Sequence, residues 1–173
     1  MRSFIAAAVA AALLPAAANA HVGLEAPEAP ANSTYKAVFQ IGHGCEGTPT
    51  TTLRVRIPEG MIAVKPMPKP GWDLSITRGD YARPYDYFGQ ELTSGVTEVT
   101  WSGGSLPDDQ YDEFVLRGRL TGFEPGTVVR FPVVQECETG THRWIEIPEP
   151  GQDPHDLDEP APSLTITEGK SGH

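Results

Sequence analysis

An alternation of apolar and polar residues with a period of two, cut at short intervals by proline and glycine, constrains this chain more than any other feature. In TTLRVRIPEG (51–60), Leu53, Val55 and Ile57 fall on one side of an extended chain and Arg54 and Arg56 on the other. GWDLSITRG (71–79) repeats the pattern with Trp72, Leu74 and Ile76. Related segments are YKAVFQI (35–41), MIAVK (61–65), TEVTWS (97–102), EFVLRGRL (113–120), TVVRFPVV (127–134), HRWIEI (142–147) and SLTIT (163–167), with a short first strand near Val22 to Leu24. Helical periodicity is almost missing. About ten short strands separated by turn residues predict an all-β fold, an antiparallel β-sandwich, and not an α/β fold. The Pro-rich stretches KPMPKPGW (65–72) and PEPGQDPHDLDEPAP (148–162) read as ordered crossovers or surface loops, because strand patterns resume after each.

The first twenty residues, MRSFIAAAVAAALLPAAANA, carry one Arg, an Ala-rich apolar run and a small-x-small site at Ala18-Asn19-Ala20. That is the pattern of a secretory signal peptide, residues 1–20, which leaves 21–173 as a single domain of roughly 150 residues, enough for a core of its own. No other apolar run approaches the roughly 18 to 20 residues that span a bilayer. The sequence therefore predicts a soluble periplasmic or secreted protein without a transmembrane anchor. The formal net charge is −10, and the leader contributes a cation and no acid. An acidic chain repels phosphate backbones and anionic lipid, which argues against nucleic acid and membrane surfaces as partners. Cations suit it better, although solubility is the ordinary reason for surface acid.

Two cysteines are present, Cys45 and Cys137. In an oxidising compartment a lone pair is most simply a disulfide, and one closing a loop of roughly 90 residues stabilises by about 4 kcal/mol on the chain-entropy model. Thiolate metal ligation is the competing reading.

Cleavage after Ala20 makes His21 the first residue. Its α-amine, with a pKa of about 8, deprotonates near neutrality when a metal competes, and the imidazole Nδ1 closes a six-membered chelate onto the same ion. This histidine brace favours Cu(II), the tightest binder of the divalent series. The third mature residue is Gly23, so the alternative amino-terminal Cu(II) motif with a third-position histidine is missing. Glu25 lies about 13 Å along an extended strand and needs a bend to reach the same ion. Glu28, between Pro27 and Pro30 where the chain can turn, folds back more easily; a solvated acid is the plain reading of both. On HRWIEI, strand alternation sets His142, Trp144 and Glu146 against Ile145 and Ile147, so the first three form either sandwich exterior or the wall of a site.

The start His21-Val22-Gly23-Leu24-Glu25, the strand ending in Arg56-Ile57-Pro58, the Pro70-Gly71-Trp72 turn and the late Trp144 together resemble the YcnI-like family of exported copper-binding proteins, through nearly the whole mature chain. The resemblance implies an immunoglobulin- or cupredoxin-like sandwich that binds one Cu(II) through an N-terminal histidine brace, with an acidic residue and a Trp nearby. The brace carries over to His21 and the Trp to Trp144. The family's acid lies in the second strand, where this chain reads Ser33-Thr34-Tyr35-Lys36; Glu28 substitutes, Tyr35 does, or the ligand is missing. Relatives often end in a transmembrane helix, whereas this chain ends at TITEGKSGH. HGC (43–45) and QEC (135–137) look like subgroup features consistent with one bridging disulfide.

The resulting expectation is a Cu(II) carrier or chaperone and not a catalyst, with His21, Trp144 and Glu28 at the metal, partnered by another periplasmic copper protein or a membrane copper transporter. Three rivals stand beside it. A blue-copper electron carrier would use Cys137, His142 and His43, but the axial Met is missing, since Met61 and Met67 lie far upstream. An oxidative enzyme with a histidine brace would need His43 or His142 as a further ligand and a broad aromatic plane, and Trp72 and Trp101 read as core. A metal-free interaction module is the third, and His155 and His173 read as solvent-exposed in any case.

Overall fold

The computed structural model describes residues 21–169; the expected leader lies outside them. Its strands are β1 (Gly23–Leu24), β2 (Glu28–Pro30), β3 (Thr34–Ile41), β4 (Thr50–Arg56), β5 (Met61–Pro66), β6 (Asp73–Tyr87), β7 (Gln90–Leu106), β8 (Asp112–Leu120), β9 (Val128–Arg130), β10 (Val133–Cys137), β11 (Thr141–Trp144) and β12 (Ser163–Thr167). They form a sheet in the order β1-β3-β8-β5, a second in the order β11-β10-β4-β7-β6, and a small third, β2-β12-β9. The expected β-sandwich is thus present. All strand pairs are antiparallel except β2 with β12, which run parallel.

Cross-strand partners share a face of a sheet, so the register says which residues make the core. In the second sheet, Val99, Val55, Val133 and Trp144 lie in one row, and Trp101, Leu53, Gln135 and His142 in the next. Apart from His142, which is half-buried at the edge strand, these residues are buried. The opposing sheet contributes Phe39, Phe114 and Leu116. The rings of Trp101 and Phe114 meet edge to face at 5.5 Å, a favoured aromatic geometry, and Trp101 Nε1 donates to the Met67 carbonyl at 3.0 Å.

Three expectations are corrected. TVVRFPVV is two strands, because the chain changes sheets at Phe131-Pro132: β9 pairs with β12 and β10 with β4. The strand HRWIEI ends at Trp144, where Ile145 N–H donates to the Arg143 carbonyl at 2.7 Å. That tight turn ends the strand, and the register with Val133 and Gln135 sets the face of Trp144 and His142 inward. Trp144 is in the core at 3% exposure, while Ile145 and Ile147 stand at 38% and 62%. Finally, Glu28 sits in the parallel β2–β12 pairing opposite Thr165, and not in a turn that folds back.

Candidate metal centre

The pairing of β1 with β3 places the first residues of the domain. Gly23 opposes Gln40 and Leu24 opposes Phe39; continuing that register outward brings His21 alongside Gly42, next to His43. The other sheet ends at the same place with His142 and Trp144 on β11. Three imidazoles therefore surround one indole. Trp144 meets the His21 ring at 5.8 Å and the His43 ring at 6.2 Å, both edge to face, and the His142 ring at 5.0 Å with planes 33° apart. His43 and His142 are 5.5 Å apart.

The indole is fixed by a buried amide. Gln135 Oε1 accepts from Trp144 Nε1 at 3.0 Å, and Gln135 Nε2 donates to the His43 carbonyl at 2.7 Å and to Thr50 Oγ1 at 2.8 Å. A buried amide is stabilising only when its polar atoms are paired, and this one is paired at both ends. The disulfide between Cys45 and Cys137, with Cα atoms 5.8 Å apart, ties the loop that carries His43 to the end of β10. At Gly44 in that loop a Cβ would overlap the Thr48 carbonyl oxygen, so only glycine fits there. Its N–H donates to Asp108 Oδ1 at 2.9 Å.

Each histidine has its own surroundings. His142 Nδ1 donates to Glu159 Oε1 at 2.7 Å, and Glu159 Oε2 accepts the Arg143 N–H at 2.9 Å. Glu159 is held in turn by its own N–H, which donates to Glu146 Oε2 at 2.7 Å. His43 Nδ1 lies 2.6 Å from the Gly44 carbonyl oxygen. His21 is half-buried, and among the described residues its buried Nε2 has no hydrogen-bond partner, an arrangement that costs free energy. Beside His21 is a cavity of about 200 Å³, whose walls include Gly23, Arg130, His155, Pro160 and Ser163. Among the described residues, no three His, Cys, Asp or Glu side chains stand in the arrangement of a preformed metal site.

Of the residues singled out from sequence, His21 and Trp144 come together. Glu28 is exposed on β2, opposite Thr165 and two residues along β12 from Ser163 of the cavity wall. Glu25 is exposed, 3.9 Å from Lys36 Nζ. Tyr35 is buried and donates to the Ala26 carbonyl at 2.6 Å; burial, reinforced by the Glu25 charge, pushes its phenol up to about 12. It is spent on the fold as a neutral hydroxyl. Cys137 is bridged, which removes the thiolate a blue-copper centre requires. Gln135 and Glu159 were not singled out. Glu159 lies in an acidic Pro-rich loop where its neighbours look alike, and only the fold selects it.

The sandwich has an immunoglobulin-like fold. Among solved structures, it is similar to that of an uncharacterized protein from Nocardia farcinica described as having an immunoglobulin-like fold, with a TM-score of 0.62 and 24% identity over 85% of this chain and 98% of that one. The chain belongs to the family described as Domain of unknown function (DUF1775), whose model matches residues 21–166. No curated protein matches it.

Proposed function

We propose that this is an exported Cu(II)-binding carrier whose site is completed when the leader is cut after Ala20. In the uncut chain the His21 nitrogen is the amide that joins it to Ala20. Cleavage turns it into an amine that chelates Cu(II) together with the imidazole Nδ1. The observation that carries the reading is the seat of His21: the residue that would become the N-terminus lies against a buried, hydrogen-bonded Trp144 at the end of the sandwich. With Nε2 turned into the protein, Nδ1 is the nitrogen left to pair with the amine. The donor chemistry, amine plus imidazole, suits Cu(II).

Other observations support the reading. The family match begins at His21, and YcnI-like copper-binding proteins, which the sequence resembles, carry this domain. The disulfide fits an oxidising compartment, and no described helix is long and apolar enough to cross a membrane. Trp144 covers one side of the ion and limits its redox cycling, and Glu28, on β2, offsets its charge. The role is that of a carrier and not a catalyst: Trp101 and Trp144 are buried and Trp72 packs against Phe114, so the tryptophans make no open plane for a glycan. A periplasmic copper protein or a membrane copper transporter would receive the ion.

The test is Cu(II) EPR with intact mass on two forms, the protein starting at His21 and the same protein with one glycine ahead of it. The extended form is expected to lose the tight site, at least a hundredfold in affinity. Equal affinity in the two forms overturns the proposal.

A further inference from the structure

The outer face of the β1-β3-β8-β5 sheet gathers positive charge in a chain whose net charge is −10. Lys36 on β3, Arg117 on β8 and Lys65 on β5 stand in one cross-strand row, and Arg119, two residues along β8, shares their face. Like charges set directly opposite each other are destabilising. A bulge makes the row: β5 has one extra residue against β8 between Ile62 and Lys65, and without it Val64 would oppose Arg117. Ala63 within the bulge has φ +51, a strained conformation for a residue other than glycine. Of the four cations only Lys36 has an ion-pair partner among the described residues, Glu25, although the chain carries 23 acids against 13 Lys and Arg.

The β6–β7 hairpin closes over this face. Tyr87 opposes Gln90 and Asp86 opposes Glu91, so the two acids project away from the side that carries Tyr87. The turn between them is Phe88-Gly89, with φ +54 and +83. Phe88 is exposed, and the Arg119 guanidinium lies 4.9 Å from the centre of its ring, a cation–π contact that holds the arginine at the hairpin tip. Between tip and sheet is a cavity of about 90 Å³, whose walls include Lys65, Arg117 and Arg119 with Thr34 and Tyr87. It adjoins a second of about 310 Å³, which shares Ala63, Lys65 and Tyr87 with it and adds Arg78, Tyr81 and Leu92. Tyr81 lies across β7 because residue 95 is glycine, where a Cβ would overlap the Tyr81 hydroxyl. Among the described residues no Asp or Glu lines either cavity.

We infer that this double cavity binds a small organic anion, its carboxylate or phosphate head among Lys65, Arg117 and Arg119 and its apolar or aromatic body beside Tyr81, Tyr87 and Leu92. Both heads suit guanidinium and ammonium donors, and arginine can meet either at two points. A flat body finds aromatic edges and faces in the larger cavity. The bound charge removes the repulsion within the row. The site uses none of the histidines and stands or falls apart from copper.

The probes are phenyl phosphate and benzoate, with inorganic phosphate and formate as the heads alone, titrated calorimetrically at low ionic strength into the protein starting at His21. At least one aromatic anion is expected to bind at one equivalent with a dissociation constant of about 1 mM or tighter, and to weaken as salt is raised. The tighter of the two identifies the head. The matching head alone should bind about tenfold more weakly. Arg117→Gln and Arg119→Gln should each weaken the aromatic anion about tenfold or more, and so should Lys65→Gln on the neighbouring strand. Arg117→Gln and Lys65→Gln should melt at the parent's temperature or above, since each removes a like charge. Tyr87→Ala should weaken the aromatic anion and leave the head alone unchanged. If neither aromatic anion binds, or if the three cation variants bind it as the parent does, the site is overturned. A head that binds as tightly as the whole anion overturns the role given to Tyr81, Tyr87 and Leu92.

Discussion

The two halves of the histidine end are built in opposite ways. On the β10–β11 side the parts are locked: Trp144, Gln135, Thr50 and the His43 carbonyl form a closed set of hydrogen bonds, and the Cys45–Cys137 bridge seals its edge. On the β1 side a half-buried histidine stands two residues ahead of a two-residue edge strand, and its Nε2 has no hydrogen-bond partner among the described residues. One half is a finished scaffold; the other lacks a partner.

Substitutions should therefore separate the halves by what they damage. The largest effect is expected from Trp144→Ala, which empties the buried centre of the scaffold and should cost about 3–5 kcal/mol in urea unfolding. A cost below about 1 kcal/mol would mean that the indole is a lid and not part of the core. Gln135→Leu comes next: it leaves Trp144 Nε1, Thr50 Oγ1 and the His43 carbonyl without their partner, and about 2–3 kcal/mol should be lost. The smallest effect on stability belongs to His21→Ala. Removing a half-exposed ring with an unpartnered nitrogen should change the unfolding free energy by less than about 0.5 kcal/mol while abolishing tight Cu(II) uptake. A destabilised His21→Ala protein would erase the contrast.

Strand alternation made most of the sandwich legible, and β3, β8 and β12 fall almost where it places them. It failed where the chain obeys partners distant in sequence. The switch of sheets at Phe131-Pro132 depends on Phe131 N–H reaching the Pro162 carbonyl, which no local pattern records. Alternation alone leaves the face of His142 and Trp144 as either sandwich exterior or the wall of a site. The register with Val133 and Val55 instead sets that face inward. At the site, His21 could be read from the cleavage pattern, since the chemistry of a new terminus is local. Glu159 could not, because its meeting with His142 depends on how the 18-residue segment between β11 and β12 returns to the sheet. The carboxylates at 25 and 28 drew attention by their nearness in sequence, while the acid that touches a histidine lies at the far end of the chain.

The parallel pairing of β2 with β12 joins residues 28–30 to 165–167, and the wall of the cavity beside His21 includes residues 160–163. His21 and the segments that flank it are therefore separated by nearly the whole described chain, and His21 has that flank only once β12 has crossed and docked. Such contacts between remote parts of a chain form slowly, so the cavity beside His21 is closed only when β12 docks.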